Sequence, residues 1–172
     1  SSCQAAKRQK AQNPNQLKRF VDFYLVRHGE AVAETLDPNR PLSLVGRQQV
    51  EQVARAAASR HLHVSEILHS GILRARQTAE ILAQHLAPER GIRETGGLRP
   101  QDDPTLAKAE LEMADYSLML VGHLPHMSRL VALLICGDAE RELVSFAPAA
   151  LICCSRESSG WRIEWMLTPK TL

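Results

Sequence analysis

The sequence predicts an α/β domain on three observations. Its 172 residues are the length of one ordinary domain. Short β-branched and aromatic runs alternate with longer stretches of helical apolar spacing. A content of 44% hydrophobic and 23% charged residues is that of a globule with a core. No run of 18 apolar residues occurs, so no membrane helix is expected. No apolar stretch follows the basic N-terminus, so no secretory signal is expected either. Cys3, Cys136, Cys153 and Cys154 lack CxxC spacing, and a vicinal pair makes a poor disulfide framework; they read as reduced thiols of a cytoplasmic protein.

Residues 1–20 hold Lys7, Arg8, Lys10, Lys18 and Arg19 and no acid. With +2 on the whole chain, residues 21–172 carry −3, which argues against nucleic acid as a partner of the body. The Gln/Asn/Ala/Lys composition of the tail buries too little apolar area to order itself, so a basic, disordered segment is expected ahead of a domain at 21–172; an arm for nucleic acid or a partner is the alternative. Val21 to Val26 reads as a buried strand running into Arg27-His28-Gly29-Glu30. Residues 31–42, with Asp37, Pro38, Asn39 and Pro41, read as loop. Ser43 is the N-cap of a helix over 43–60, with Val50, Val53, Ala54 and Ala57 on one face; Gly46 in its first turn weakens the pattern. A second strand is expected over 64–69, closing on Ser70-Gly71, and a second helix over 72–86 with Ala75, Ala79, Leu82 and Leu86 in one stripe. Residues 91–104, with three glycines and two prolines, read as loop, and 105–114 as helix. Leu118 to Val121 is a buried strand ending at Gly122-His123, and Pro125 opens a helix that runs to Gly137. Residues 150–155 and 161–167 read as strands joined by a turn at 158–160. Strand alternation sends Cys153 and Cys154 to opposite faces as packing residues, and puts Trp161 and Trp165 on one face, over the sheet edge.

In open α/β sheets catalytic groups lie beyond the carboxyl ends of the strands. Arg27-His28 and Gly122-His123 both stand there. The chain has no GxxxxGK[ST], GxGxxG or GxSxG, which excludes the familiar nucleotide loops and the serine elbow. Histidine can attack phosphorus when one ring nitrogen is free and the other is held, and a guanidinium grips phosphate oxygens in pairs. Arg74 falls in the first turn of a helix, where free N–H groups already attract anions. Arg76 reads as a solvated helix residue and His126 as a surface helix residue. His61-Leu62-His63 and His123-x-x-His126 lack a cysteine or carboxylate to complete a zinc set, so no metal is expected.

Four blocks, in order, resemble the histidine phosphatase (phosphoglycerate mutase-like) superfamily, and within it the SixA-type phosphohistidine phosphatases: Leu25-Val26-Arg27-His28-Gly29-Glu30, Arg40-Pro41-Leu42-Ser43-Leu44-Val45-Gly46, Ser70-Gly71-Ile72-Leu73-Arg74-Ala75-Arg76-Gln77-Thr78 and Val121-Gly122-His123-Leu124-Pro125. The resemblance covers residues 21–170. It implies a single-domain three-layer sandwich with a mostly parallel central sheet. It implies His28 as a transiently phosphorylated nucleophile, Arg27 and Arg74 as clamps on the phosphoryl oxygens, His123 as a further donor and Arg40 at the pocket mouth. It implies a hydrolase with no cofactor, a histidine-phosphorylated protein (a phosphotransfer domain among the candidates) as partner, and inorganic phosphate as product, without nucleic acid or membrane. Mutases and many acid phosphatases of the family carry a carboxyl acid for an alkoxide leaving group. Only 48 residues separate Arg74 from His123 here, and the acids among them, Asp102 and Asp103, sit in a Pro/Gly loop. A short, uncapped pocket and a weak P–N bond favour protein phosphohistidine. A small phosphate ester, with Asp102 or Asp103 as acid, and a non-catalytic phosphate-binding protein are the alternatives.

Overall fold

A computed structural model describes residues 21–171. The basic segment 1–20, with its expected disorder and Cys3, lies outside the described residues. Among the described residues, six strands form one mixed sheet in the order β3-β2-β4-β1-β5-β6. They are β1 (Asp22–Arg27), β2 (Glu66–His69), β3 (Ile92–Glu94), β4 (Leu118–Gly122), β5 (Leu151–Glu157) and β6 (Gly160–Leu167). The helices are α1 (Leu44–Ser59), α2 (Leu73–Leu86), α3 (Pro104–Met113) and α4 (His126–Cys136). β3, β2, β4 and β1 run parallel, and β5 and β6 add an antiparallel edge.

The sandwich follows from strand alternation. In β1, Tyr24 and Val26 face a core packed by α1 and α2, while Phe23 and Leu25 face one packed by α3 and α4. Met119 and Val121 of β4 join the first core, Leu118 and Leu120 the second. Both faces of the central strands are therefore buried, which is why they read as unbroken apolar runs. Cys153 and Cys154 fall on opposite faces as expected, both as buried thiols. The Ser43 hydroxyl caps α1 by accepting from the Gly46 N–H at 3.0 Å.

Two expectations on the sheet are corrected. Ile92–Glu94, expected as loop, is a three-residue edge strand pairing parallel with β2. One apolar residue in three leaves no period to read, and the pairing is reinforced by the Arg93 Nε bond to Glu66 at 3.0 Å. Trp161 and Trp165 do not share a face. Cys153 pairs with Trp165 but Cys154 with Ile163, so β6 carries an extra residue, Glu164, and the parity flips. Trp161 packs on Phe23 with ring centroids 5.2 Å apart, and Trp165 on Tyr24 across the sheet at 6.2 Å.

Candidate active site

The three adjacent strands β2, β4 and β1 end together: Arg27 pairs with Gly122, and His69 with Val121. The next residue along each strand is Ser70, His123 or His28, so these three stand side by side at the carboxyl edge. The His28 N–H donates to the Gly122 carbonyl at 3.0 Å, and the two imidazoles lie 5.0 Å apart, tilted by 54°.

One hydrogen bond settles the tautomer of His28. Its Nδ1 lies 2.6 Å from the Gly29 carbonyl. A carbonyl only accepts, so Nδ1 carries the proton and Nε2 keeps its lone pair. Arg74 Nε donates to that nitrogen at 3.3 Å, a long bond that is easily exchanged. Burial first, then the cations Arg74, Arg27 and Arg40, lower the His28 pKa to about 4 against the pull of the Gly29 carbonyl. The ring is neutral at pH 7.

His123 is 1% exposed. Ser70 Oγ lies 2.6 Å from its Nε2 and receives the Ile72 N–H at 3.3 Å. The buried serine proton then has the imidazole nitrogen as its acceptor, so Nε2 accepts and Nδ1 bears hydrogen. Nδ1 is buried with no partner among the described residues. Burial, followed by the nearby His28 and Arg74, lowers the His123 pKa to about 3. Arg27 gives Nη1 to the Phe146 carbonyl at 2.6 Å, while its buried Nε has no partner among the described residues. Orphaned buried donors at His123 and Arg27, together with an imidazole lone pair held only by the long Arg74 bond, are what an incoming phosphoryl group would satisfy.

Arg74 sits in the first turn of α2, as expected. Arg40, in a loop at φ +47°, donates to the Val32 carbonyl at 3.2 Å and lies close enough to depress the pKa values of both His28 and Arg74. Arg76 is a surface residue, 3.6 Å from Glu80. The scaffold is tied from three directions. Thr78 Oγ1 accepts the Gly29 N–H at 3.2 Å and donates to the Arg74 carbonyl at 2.8 Å, locking the His28 loop to α2. Gln77 Oε1 accepts the Leu42 N–H at 2.8 Å. A Cβ on Gly46 would stand 1.9 Å from the Glu30 carbonyl oxygen, so only glycine lets α1 meet the His28 loop.

His126 is corrected: it is fully buried, with the Gly97 backbone of loop 95–103 against its ring. Loop 95–103 covers the start of α4, its Leu98 carbonyl lying against Gly122, and that loop has no sequence periodicity to foretell its path. Burial keeps the His126 pKa below the ordinary value. Asp103 caps α3 by accepting the Thr105 N–H at 2.9 Å, which holds its pKa low. Asp102 accepts the Arg99 N–H at 2.9 Å. Sequence reasoning quoted Ser70, Gln77 and Thr78 within a block without giving them roles; the signal available was their place at the strand end and on the inner turn of α2. Among the described residues no three His, Cys, Asp or Glu side chains gather as a metal site, and no helix is long and apolar enough to cross a membrane. A cleft of 560 Å³ opens at the amino ends of the parallel strands; Asp22, His61, His63, Glu89 and Asp115 are in its lining but do not gather closely enough to hold a metal.

Residues 23–112 match the histidine phosphatase superfamily (branch 1), a span that stops short of His123. The chain is 27% identical over 157 residues to the phosphohistidine phosphatase SixA of Escherichia coli K12, covering 88% of this chain and 96% of that protein. It is 34% identical over 131 residues to an uncharacterised protein of Picosynechococcus sp. PCC 7002, covering 72% and 78%. A solved structure of the protein histidine phosphatase SixA complexed with tungstate superposes with a TM-score of 0.78 at 25% identity, over 88% of this chain and 99% of that one.

Proposed function

The chain belongs to branch 1 of the histidine phosphatase superfamily and is a phosphatase of that family; from this premise we propose that it hydrolyses phosphohistidine on a protein, through a covalent phospho-His28 intermediate and without a metal. The observation that carries the reading is the His28 tautomer, with Nδ1–H on the Gly29 carbonyl and Nε2 free toward Arg74. An incoming phosphoryl group displaces the long Arg74 bond. The Nε2 lone pair forms a bond to phosphorus as the P–N bond to the substrate imidazole breaks, and the electron pair leaves with that imidazole. Arg27, Arg74 and His123 Nδ1–H meet the charge on the equatorial oxygens, so catalysis is positioning and electrostatics. The phosphorylated His28 ring is cationic, its charge shared with the Gly29 carbonyl, and it leaves readily when water attacks phosphorus in the second step. Arg40 borders the mouth.

One further fact supports a P–N substrate: Asp103 caps a helix and Asp102 holds a turn, so neither is placed to protonate an alkoxide. The test compares turnover of a phosphoramidate with that of a phosphate monoester. The phosphoramidate should be cleaved faster; equal or faster cleavage of the ester contradicts the proposal.

A further inference from the structure

Large apolar side chains left in water are unevenly placed on this molecule. Six are exposed among the described residues: Leu36, Leu44, Val45, Leu106, Leu143 and Met113. The first five belong to segments that leave or re-enter the sheet at its carboxyl edge, where His28 and His123 stand. Leu36 lies in the loop between β1 and α1, which closes on itself through the Val32 N–H bond to the Pro41 carbonyl. Leu44 and Val45 open α1, whose N-cap Ser43 is bonded through its N–H to the carbonyl of Glu30, two residues beyond His28. Leu106 is in the first turn of α3, beside Gly97. Leu143 lines a 620 Å³ groove whose other wall is Leu124 and Pro125, directly after His123. Met113 ends α3 at the opposite pole.

An apolar rim serves no purpose for a small phosphate, which the guanidiniums and buried imidazole at the floor would recognise alone. Exposed apolar side chains around a charged recess have the composition of a protein contact. We infer that this rim is the docking surface for a folded substrate protein that carries its phosphohistidine in an apolar surround. The inference rests on the phosphohistidine reading above and adds where the substrate's specificity is read. The charge pattern agrees with this occupant: Arg27, Arg40 and Arg74 gather around His28, where the dianion enters.

The test uses neutral substitutions that leave the field at His28 unchanged: Leu44→Gln and Leu106→Gln at the rim, with Met113→Gln as the control. Each is assayed on a histidine-phosphorylated phosphotransfer domain and on free N-phosphoimidazole. Each rim variant should lose about tenfold in kcat/KM on the protein and keep wild-type turnover of phosphoimidazole, while Met113→Gln matches wild type on both. Undiminished turnover of the protein, or equal losses on both probes, overturns the inference. So does wild-type cleavage of phosphoimidazole without cleavage of the protein. A wild-type dimer in sedimentation that Leu44→Gln dissociates, with protein turnover intact, assigns the rim to a second copy instead and overturns it too. Failure of the wild-type chain on both probes sinks the phosphohistidine reading itself.

Discussion

Both imidazoles at the carboxyl edge are held neutral at a pH where an unfolded histidine is charged, and this ties stability to acidity in a calculable way. An unfolded histidine titrates at the ordinary value of 6.5, while His28 titrates at about 4 and His123 at about 3. Between those limits the unfolded chain binds more protons than the native one, so stability rises with pH there. The contribution is complete above pH 6.5 and is lost as pH falls toward the folded values. Moving from pH 7.5 to pH 5 protonates the unfolded ring almost fully and the folded ring hardly at all, which costs about 2 kcal/mol per histidine. For a chain of this length that corresponds to a fall in Tm of ~4–8 °C for each ring. The perturbation is His28→Gln, which removes one of the two titrations. Urea denaturation at the two pH values should show the variant losing about 2 kcal/mol less than wild type on acidification. The comparison of slopes cancels whatever the substitution does to stability at both pH values. An identical loss in the two proteins would refute the argument, because it would mean that His28 charges in the native state as freely as in the unfolded one.

Two substitutions probe the scaffold. Ser70→Ala leaves the His123 Nε2 and the Ile72 N–H without their shared partner; it should cost ~1–3 kcal/mol in urea denaturation and about tenfold or more in kcat, because His123 loses its fixed tautomer, and wild-type kcat would restrict Ser70 to a structural role. Gly46→Ala sets two effects against each other: helix propensity favours alanine by about 1 kcal/mol, but its Cβ would meet the Glu30 carbonyl oxygen at 1.9 Å. The clash is with backbone and wins, so the variant should be less stable by ~1–3 kcal/mol and less active as the His28 loop shifts; a more stable variant contradicts the packing argument.

Much of the fold was legible because the central strands are apolar on both faces and the helices carry one apolar stripe each. Val21 to Val26 and Leu118 to Val121 need no tertiary information to read as buried strands. The strand ends then place His28 and His123 at one edge, and the order of the arginine blocks adds Arg74. What escaped the sequence depends on partners far along the chain. β3 exists because β2 offers an edge, and its own three residues hold no pattern. The bulge at Glu164 reverses the faces of everything before it in β6, which an alternation count cannot detect. His126 is buried by a loop of Gly and Pro whose path no periodicity records. Gly46 read as a flaw in a helix, and it is the point where that helix touches the His28 loop. Ser70 was in view but silent, since its role exists only through an imidazole 53 residues away.

The central claim is that the free Nε2 of His28 becomes bonded to phosphorus. Rapid acid-free quenching of the enzyme during turnover of a phosphoramidate, followed by peptide mapping, addresses it directly. A phosphoryl group is expected on the peptide containing His28, labile to acid and stable to alkali, with no label in His28→Ala. Full turnover by His28→Ala, or a label on another residue with His28 unmodified, would contradict it.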